Sequence, residues 1–475
     1  MRFSNFKELL EYYAKAAPDA PALKDGHHVF SYAQLLEKVQ DRAALLGAEG
    51  RSCVAVVAEC SIDCVIEVFA ASLAGLRIVM LDESLPEELL RELIGLTEAD
   101  LVWASDPEFY VQVKRAHRDK KPEPVDSMLF FTSGTTSRSK AVMLSARSLC
   151  SSAWNGAQKL PLAAGDVLLC VLPLAHVFGF VCGLLWGLSC GACVAMGSGT
   201  RGIFTDFARL KPTAVSLVPA QLAYMLKAQS ANPELKTVLV GAGDCSPELL
   251  ENTRALGLQL SFGYGLTETS SGVAISTGGD PFAMDICPDD KILIAEDGEV
   301  LIYAPTCVME GYYKDPEGTK AAFCYVSDVA PDGTSEEREW LRSGDLGFLD
   351  ADGRLHITGR KKDMLVLSDG SKIFLPEYEA ALAKALEGAP GGAGTTQAGG
   401  AADNKAAFEL AAVLSPAGRP VLAYYGPLEK KDILARVQPL MQTLPRGQQI
   451  TDIIKLAEPL PRTATGKIKR WEIKQ

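Results

Sequence analysis

Short apolar runs alternate with longer segments of helical spacing through the first 280 residues, and this alternation most constrains the fold. The apolar runs end in small residues, which is typical of buried strands. A representative helical segment opens with Ser31 and Gln34 in the spacing of a capping box and ends at Gly50. Strands that alternate with helices predict an α/β domain with a largely parallel sheet covered on both faces. The strand-like runs are CVAVVA, RIVMLD, DLVWAS, MLFFTS, DVLLCVLP, CVAMG, AVSLVP, TVLVGAG and LQLSFGYG.

The pattern changes between Asp290 and His356. KILIAEDGEVLIYAP and FLDADGRLHITG look like hairpins, because each places two apolar runs on either side of an Asp-Gly dipeptide. We therefore expect a large N-terminal domain over residues 1–361 that includes a small β-rich subdomain at about 285–360.

A second boundary follows the GRKKD motif at Gly359–Asp363. Beyond it come the strand-like run MLVLS, the helical segment PEYEAALAKALEG and enough further chain for a small α+β domain over residues 362–475. The segment at about 387–405 contains APGGAGTTQAGG, and this composition predicts a flexible insertion in the C-terminal domain.

Charge and cysteine usage exclude some classes of partner. The net charge of -12 argues against nucleic acid and against an anionic membrane surface, since either would favour a basic patch. The 12 cysteines show no pairing pattern and the N-terminus has no apolar signal segment, so we expect a cytoplasmic protein. The C-x-x-C pair Cys190 and Cys193 lies in an apolar run, where core packing is expected and a redox or metal role is the alternative.

One segment is long and apolar enough to raise the question of a membrane. Between Val167 and Thr200 there is no Asp, Glu, Lys or Arg, and glycine recurs at every fourth residue from Gly179 to Gly191. A membrane span is possible on length alone. Pro173 and the lack of flanking Lys/Arg clusters favour a buried helix followed by a buried strand, so we expect no transmembrane span.

A loop dense in hydroxyl groups follows one of the predicted strands. In LFFTSGTTSRSKAVMLS (Leu129–Ser145), seven of the eight residues before Lys140 are Ser, Thr or Gly. Backbone N–H groups and hydroxyls in such a loop converge on one anion, and a lysine adds a full positive charge. The stretch by itself predicts either a phosphate site or a flexible surface turn.

Six further turns of unusual composition follow this loop. Neither a Walker A sequence nor a complete G-x-G-x-x-G is present, since Glu268 occupies the place of the last glycine. The seven motifs are FTSGTTSRSK (131–140), PLAHVFG (173–179), VGAGDCSPEL (240–249), YGLTET (264–269), WLRSGDLG (340–347), GRKKD (359–363) and PRTATGK (461–467). In this order, they resemble the motifs of the adenylate-forming superfamily of acyl-CoA synthetases, peptide-synthetase adenylation domains and luciferases. The resemblance covers nearly the whole chain and is closest, in motifs, to fatty acyl-CoA synthetases.

The resemblance implies a reaction in two steps. In that family a carboxylate attacks the α-phosphate of ATP, which gives acyl-AMP and pyrophosphate, and a thiol then displaces AMP. Because one anion must approach another, the site has to offset their repulsion at the phosphorus. The implied partners are a small carboxylic acid, ATP, Mg²⁺ and coenzyme A, with an acyl carrier protein as the alternative thiol donor.

The resemblance also implies roles for individual residues. Lys140 would hold the β- and γ-phosphates together with the loop, and Glu268 would bind Mg²⁺, since a hard cation prefers carboxylate oxygen. Thr267 would hydrogen-bond the α-phosphate, and Lys467 would bridge that phosphate and the carboxylate of the acid. The phosphate-loop residues are Thr132, Ser133, Gly134, Thr135, Thr136 and Ser137.

A second group of residues would bind the nucleoside. Asp345 would accept hydrogen bonds from the ribose hydroxyls, and Arg360 would help to hold the nucleotide. The expected adenine slot, where small residues leave room for a flat ring, is lined by Gly243, Asp244, Tyr264 and Gly265.

Each of these positions also has an ordinary structural interpretation. A lysine in a basic tail is usually solvated, an aspartate beside glycine often forms a turn, and Glu268 could cap a helix that begins near Thr267. His176 could be a satisfied core histidine. The family resemblance favours the functional roles and implies that His176, Val177 and Phe178 border the acyl pocket.

The resemblance implies a moving C-terminal domain. Acyl-AMP would hydrolyse if water reached it, so we expect a domain that closes over the site. Lys467 would meet the rest of the site on closure, and the small domain would then rotate about Lys362 to admit the thiol.

Departures from the family pattern leave alternatives open. Ser137, Ser139 and Ala141 replace glycine, proline and glycine, so a catalytically impaired nucleotide-binding relative stays possible. The uncharged wall from Val177 to Gly191 suits an apolar acyl chain, since each buried CH₂ contributes about 0.8 kcal/mol. A medium- or long-chain fatty acid is the first expectation for the acid, and an aryl acid is the second.

Overall fold

The computed structural model describes residues 1–105, 127–132, 140–243, 245, 247–329, 335–368, 372–386, 408–461, 468 and 470–473. These residues form two compact units. The first contains Met1–Thr132, Lys140–Ser343 and Gly347–Ile357, and the second contains Gly344–Leu346 and Thr358–Gln475. The predicted domain boundary between residues 361 and 362 stays a prediction.

Strands and helices alternate through the first unit. Its helices are α1 (Phe6–Ala16), α2 (Tyr32–Ala48), α3 (Ile62–Leu73), α4 (Glu87–Thr97), α5 (Ala146–Lys159), a π-helix (Phe178–Leu185), α6 (Trp186–Ser189), α7 (Gly199–Leu210), α8 (Pro219–Ala228), α9 (Pro247–Ala255) and α10 (Pro316–Ala322). The strands, the last two of which continue into the second unit, are β1 (Pro21–Lys24), β2 (Val29–Ser31), β3 (Cys53–Ala58), β4 (Arg77–Asp82), β5 (Leu101–Trp103), β6 (Met128–Phe131), β7 (Ala141–Leu144), β8 (Val167–Cys170), β9 (Cys193–Met196), β10 (Ala214–Leu217), β11 (Thr237–Val240), β12 (Gln259–Leu266), β13 (Ser271–Ile275), β14 (Asp285–Ile286), β15 (Lys291–Ile294), β16 (Glu299–Tyr303), β17 (Gly311–Tyr312), β18 (Phe323–Val329), β19 (Ser335–Leu349) and β20 (Leu355–Arg360).

Two sheets carry the parallel strands. One has the order β14-β13-β12-β11-β10-β8-β9-β1-β2 and the other β17-β7-β6-β4-β3-β5. The pairs from β12 through β11, β10, β8 and β9 to β1 are parallel, and so are β6–β4, β4–β3 and β3–β5. The largely parallel sheet predicted from the alternation is confirmed.

Both faces of the second sheet are buried. Val54 and Met80 belong to one apolar cluster together with residues of α1, α2 and α3, whereas Ala55 and Val79 belong to another cluster with residues of α4. Successive side chains of a strand point to opposite faces, so continuous apolar runs place a core on each side. This explains why the strand-like segments contain so few polar residues.

The capping box predicted for the second helix is present. The Ser31 hydroxyl accepts a hydrogen bond from the Gln34 N–H, and the Gln34 side chain accepts one from the Ser31 N–H. These two bonds satisfy N–H groups that the first turn of a helix otherwise leaves without partners.

The uncharged segment from Val167 to Thr200 folds as a buried helix between two strands. It contains β8, the π-helix, α6 and β9, and no helix in the described part of the chain is long and apolar enough to cross a membrane. A side chain at Gly179 would collide with the carbonyl oxygen of Pro173, and one at Gly187 would lie 2.7 Å from Val194. The glycine stripe therefore allows the helix to approach neighbouring backbone and strand residues closely.

The β-rich subdomain is built from the predicted hairpins. Strands β15 and β16 pair through a turn at Gly298, and β19 and β20 pair through a turn at Gly353; both glycines have positive φ. Strand β18 pairs antiparallel with β19 and completes a five-stranded sheet.

The second unit is a small α+β domain, as predicted. Its core includes Leu382, Tyr424 and Val437, each of which is buried. The predicted insertion at about 387–405 lies outside the described residues. Its elements are β21 (Met364–Val366), β22 (Lys372–Phe374), α11 (Leu375–Ala385), β23 (Glu409–Leu414), β24 (Pro420–Tyr425), α12 (Lys430–Thr443) and β25 (Asp452–Lys455).

Candidate active site

A tight turn after β12 presents Thr267 and Glu268. The turn is a short 3₁₀ helix over Thr267–Thr269, and the Thr269 hydroxyl accepts from the Leu266 N–H at 2.9 Å and donates to the Ser271 carbonyl at 2.9 Å. A Cβ at Gly265 would collide with that same carbonyl, so only glycine fits there. Local backbone packing therefore sets where Glu268 lies.

The Glu268 carboxylate is held by a tyrosine that the sequence motifs did not single out. The Tyr312 hydroxyl donates a hydrogen bond of 2.7 Å to Glu268 Oε1, and the Met309 N–H donates to the Glu268 carbonyl at 2.8 Å. Burial, followed by the nearby Glu268 charge, raises the pKa of Tyr312 well above its usual value. The hydroxyl therefore remains a donor that orients the carboxylate.

Lys140 lies against the same tyrosine. Its ammonium is 3.9 Å from the centroid of the Tyr312 ring, which is a cation–π contact. The Thr132 N–H donates to the Lys140 carbonyl at 3.0 Å, so these two residues close the base of the predicted phosphate loop. The structure thus brings Lys140, Tyr312 and Glu268 together in the first unit. Five predicted loop residues lie outside the described part of the chain: Ser133, Gly134, Thr135, Thr136 and Ser137.

The oxygen donors near this cluster suit a hard cation. The Glu268 carboxylate and the Thr267 hydroxyl lie on one short turn, and Mg²⁺ prefers such oxygen ligands. Magnesium would supply positive charge to phosphate oxygens when bound, and Glu268 is the residue that would hold it.

The predicted adenine slot is partly described. Gly243 and Gly265 are exposed and Tyr264 is half-buried, whereas Asp244 lies outside the described residues. Ala242 adopts φ +61°, an uncommon conformation for a residue with a side chain. The VGAG turn is therefore strained beside the predicted slot, which is frequent at ligand-binding loops.

His176 pairs with a carboxylate at the end of β4. Its Nε2 lies 3.1 Å from Asp82 Oδ2, and 49% of the His176 side chain is exposed. The hydrogen bond with His176 is the main reason that the pKa of Asp82 falls to about 2. Exposure of this size excludes the core-histidine interpretation, because the ring is open to solvent or ligand on one side.

The other two predicted pocket residues have different surroundings. Val177 is buried in the main core, and Phe178 packs beside Gly241, where an added Cβ would lie 2.9 Å from the phenyl ring. A cavity begins one turn further along the same helix, at Val181, and none of the three predicted residues lines it. Their role beside the acid therefore stays a prediction.

In the second unit, Asp345 and Arg360 form an ion pair. Arg360 Nε lies 3.0 Å from Asp345 Oδ1, and Asp345 is buried whereas 45% of the Arg360 side chain is exposed. Lys362 is exposed in a short 3₁₀ helix over Lys361–Asp363. Lys467 lies outside the described residues.

A buried polar cluster supports the Glu268 turn from behind. Asn155 Nδ2 lies 3.4 Å from Asp290 Oδ2 and 3.5 Å from the Cys307 thiol. The Cys307 carbonyl in turn accepts a 2.7 Å hydrogen bond from Ser270, two residues after Glu268. Burial, reinforced by the neighbouring Asp289 charge, raises the pKa of Asp290 to about 8.

This raised pKa predicts a dependence of stability on pH. The usual Asp pKa is 3.8, so between about pH 4 and pH 8 the folded protein keeps a proton on Asp290 that the unfolded chain has released. Stability from this group therefore falls as pH rises through that range. The free energy of unfolding should decrease between pH 5 and pH 8, and this decrease should be roughly 1–3 kcal/mol smaller in Asp290→Asn than in the unsubstituted protein. Urea denaturation at the two pH values measures the difference.

A carboxylate in solvent provides the control for this prediction. Glu296 is exposed at the turn between β15 and β16, so Glu296→Gln should leave the pH profile within about 0.5 kcal/mol of the original. Equal pH profiles for the Asp290→Asn variant and the unsubstituted protein would show that Asp290 is ionised in the folded state.

Sequence reasoning missed Tyr312, Asp82 and Ala242. Tyr312 follows Glu268 by 44 residues, so no local spacing linked the two. Asp82 ends a strand that belongs to none of the seven motifs, so nothing in the sequence linked it to His176. A glycine-rich turn preceded by an apolar strand was the available signal for Ala242, because such turns often need positive φ.

Comparisons with known proteins place this chain among its relatives. The AMP-binding enzyme family matches residues 10–313. Indoleacetate–CoA ligase of Aromatoleum aromaticum is 27% identical over 98% of this chain and 97% of its own length. 2-Succinylbenzoate–CoA ligase of Bacillus licheniformis is 27% identical over 78% of this chain and 83% of its own length. Oxalate–CoA ligase of Arabidopsis thaliana is 31% identical over 74% of this chain and 68% of its own length.

A solved structure shares the fold. O-succinylbenzoate coenzyme A synthetase of Bacillus subtilis in complex with AMP has a TM-score of 0.76 and 22% identity, and the match covers 100% of this chain and 99% of the other. The expected special closeness to fatty acyl-CoA synthetases is not confirmed, since the relatives named above act on other acids.

Proposed function

This chain belongs to the AMP-binding enzyme family, and from that premise we propose that it is an AMP-forming acid–thiol ligase. It activates a carboxylic acid with ATP, releases pyrophosphate and transfers the acyl group to coenzyme A. The observation that carries the proposal is the Lys140–Tyr312–Glu268 cluster, in which a cation lies over the face of the Tyr312 ring and a candidate metal-binding carboxylate accepts from its hydroxyl.

The first step is the attack of the acid's carboxylate on the α-phosphorus. Lys140 and the loop that starts at Thr132 hold the β- and γ-phosphates, and Thr267 donates to the α-phosphate. Glu268 would hold Mg²⁺, which would supply positive charge to offset that of the phosphates. The pentacoordinate phosphorus carries more concentrated negative charge than the ground state, so preorganised cations favour the transition state.

The proposal also assigns roles to residues of the second unit. Asp345 accepts from the ribose, Arg360 holds the nucleotide, and Lys467 bridges the two reacting anions. The ion pair between Arg360 and Asp345 supports this assignment, because it fixes the orientation of the carboxylate that would meet the ribose hydroxyls.

The acid is proposed to be an aryl acid or another compact acid. The glycine stripe that favoured a long acyl chain serves helix packing, and none of its glycines lines the cavity beyond Val181. Coenzyme A is the proposed acceptor because the named relatives are CoA ligases, and they give no support to an acyl carrier protein. All 12 cysteines are free, which suits the proposed cytoplasmic location.

The test is acid-dependent exchange of labelled pyrophosphate into ATP, followed by detection of the CoA thioester. Exchange that requires an acid, together with a thioester product, is the expected result. ATP binding without exchange for any acid in a broad library would instead favour the impaired nucleotide-binding relative.

We expect Lys362→Pro to separate the two half-reactions. The resemblance makes Lys362 the pivot of the C-terminal domain, and proline removes a backbone N–H and restricts φ. Thioester formation should fall about 100-fold or more, since small misplacements cost this much, whereas acyl-AMP formation changes little. Single-turnover assays of each half-reaction measure the difference.

Lys362→Ala is the control, because it removes the side chain and leaves the backbone free to rotate. It should retain both half-reactions within about threefold. Equal loss of both half-reactions in the proline variant would contradict the pivot assignment.

A further inference from the structure

One tyrosine contacts both charged residues of the candidate site. Tyr312 is 8% exposed, the Lys140 ammonium lies 3.9 Å from the centroid of its ring, and its hydroxyl donates a 2.7 Å hydrogen bond to Glu268 Oε1. A cation and an anion therefore contact different parts of the same side chain, the ring face and the hydroxyl. The contact with Lys140 is not needed to orient Glu268, so it calls for an explanation of its own.

Backbone hydrogen bonds fix Tyr312 relative to both partners. Strand β17, which contains Tyr312, pairs with β7, the strand that begins directly after Lys140. The Tyr312 N–H donates to the Thr319 hydroxyl at 2.8 Å. Three residues earlier, the Met309 N–H donates to the Glu268 carbonyl at 2.8 Å. One short segment thus meets the strand after Lys140 and the turn of Glu268, which gives the tyrosine ring a set place beside both.

Lys140 and Glu268 would attract each other if the tyrosine did not hold them. Both are half-buried, and opposite charges interact more strongly in such surroundings than in bulk water. A direct ion pair would engage the ammonium with a carboxylate in place of phosphate, and the carboxylate with an ammonium in place of a metal cation. Pairing would therefore oppose both proposed tasks at once.

The contacts with Tyr312 leave both groups able to bind a ligand. A ring face attracts an ammonium without accepting a conventional hydrogen bond, so the three N–H donors of Lys140 can turn to phosphate oxygens. The hydrogen bond to Glu268 uses one carboxylate oxygen, Oε1, and an ionised carboxylate has a second oxygen for a cation. Charged phosphate also binds an ammonium more strongly than a ring does, so ATP can draw Lys140 away from the tyrosine.

We infer that Tyr312 is a positioning residue that keeps Lys140 and Glu268 from pairing with each other, so that the lysine stays ready for phosphate and the carboxylate for a divalent cation. The inference rests on the proposed function, because that function assigns ligands to the two residues. It goes beyond the orientation of Glu268, since loss of the Tyr312 hydroxyl then weakens nucleotide binding through Lys140 even without a metal.

Binding of ATP to the full-length protein tests the inference independently of catalysis. Titration calorimetry in EDTA compares the unsubstituted protein with Tyr312→Phe, which keeps the ring and releases the Glu268 carboxylate. The affinity for ATP should fall about tenfold, because the released carboxylate pairs with Lys140. If Tyr312 only oriented Glu268 for a metal, the affinity in EDTA would not change.

A double variant separates pairing from damage to the fold. Tyr312→Phe combined with Glu268→Gln should bind ATP in EDTA within about threefold of the unsubstituted protein, since a neutral amide has no charge to pair with Lys140. A tyrosine with a merely structural role would show no such rescue. Thermal unfolding of each variant confirms that it folds.

The next residue in the chain provides the matched control. Tyr313 also accepts a hydrogen bond on its hydroxyl, from Arg77 at 3.2 Å, and the Arg77 guanidinium lies 4.9 Å from the centroid of its ring. Tyr313→Phe makes the same chemical change without releasing Glu268. It should leave the affinity for ATP in EDTA within about twofold.

The outcomes separate the two proposals. A loss of ATP affinity that Glu268→Gln rescues, without pyrophosphate exchange for any acid, would overturn the proposed ligase activity while the inference stands. Pyrophosphate exchange together with unchanged ATP affinity in Tyr312→Phe would overturn the inference alone, and so would a loss that persists in the double variant. Failure of the unsubstituted protein to bind ATP would overturn both.

Discussion

Replacing Glu268 with glutamine is expected to lower acid-dependent ATP–pyrophosphate exchange by about 100- to 1,000-fold, the size of effect seen when one electrostatic partner of a transition state is removed. The amide is neutral, so it binds a divalent cation far less well than the carboxylate does. It nevertheless keeps an oxygen that accepts from the Tyr312 hydroxyl, whose hydrogen bond to Glu268 Oε1 is 2.7 Å. The loss should therefore reflect charge and not misfolding.

Two comparisons sharpen this result. The melting temperature of Glu268→Gln should stay within about 2 °C of the original, since the substitution conserves shape and leaves the apolar core intact. Binding of ATP in the presence of EDTA should be unchanged, whereas the gain in affinity on adding Mg²⁺ should disappear. Undiminished exchange in Glu268→Gln would remove Glu268 from the proposed machinery.

The second large effect is expected at Lys467. In Lys467→Gln, formation of acyl-AMP should fall by about 100- to 1,000-fold, because the cation that offsets repulsion between carboxylate and α-phosphate is absent. Thioester formation from synthetic acyl-AMP should remain within about threefold, since that step no longer brings the two anions together. Separate assays of the two half-reactions measure this contrast.

A neighbouring lysine in the same tail supplies the control. Lys469→Gln removes the same charge two residues away and should leave both half-reactions nearly unchanged, because the PRTATGK motif ends at Lys467. A similar loss of adenylation in both variants would mean that the tail acts through its overall charge. In that case Lys467 has no individual role.

Local chemistry explains what could be predicted about the fold. The run Cys53–Ala58 is a buried strand because its alternate apolar residues pack into two apolar clusters, one on each face of the sheet. The capping box of Ser31 and Gln34 and the turn at Gly298 depend only on neighbours within a few residues. Such features follow from hydrogen-bonding capacity and φ preference, which are properties of the residues themselves.

Long-range packing explains what could not be predicted. Tyr312, which contacts both Lys140 and Glu268, lies in a strand whose partner is β7, and no motif connected it to the phosphate loop. The contact of 3.1 Å between His176 Nε2 and Asp82 Oδ2 likewise joins residues that belong to different parts of the chain. The fatty-acid expectation is not confirmed, and the glycine stripe on which it drew cannot distinguish a pocket wall from a helix that packs closely against its neighbours.

The sequence by itself determined the alternation of strands and helices, the hairpins of the β-rich subdomain and the order of motifs that indicates adenylation chemistry. Periodicity and turn preference depend on residues that are close together in the chain, so both can be recognised from the sequence alone. Only the tertiary structure decided which side chain orients Glu268, why the pKa of Asp290 is raised and which carboxylate meets His176. These properties arise from burial and from distances between residues far apart in the chain, and only the folded chain sets those distances.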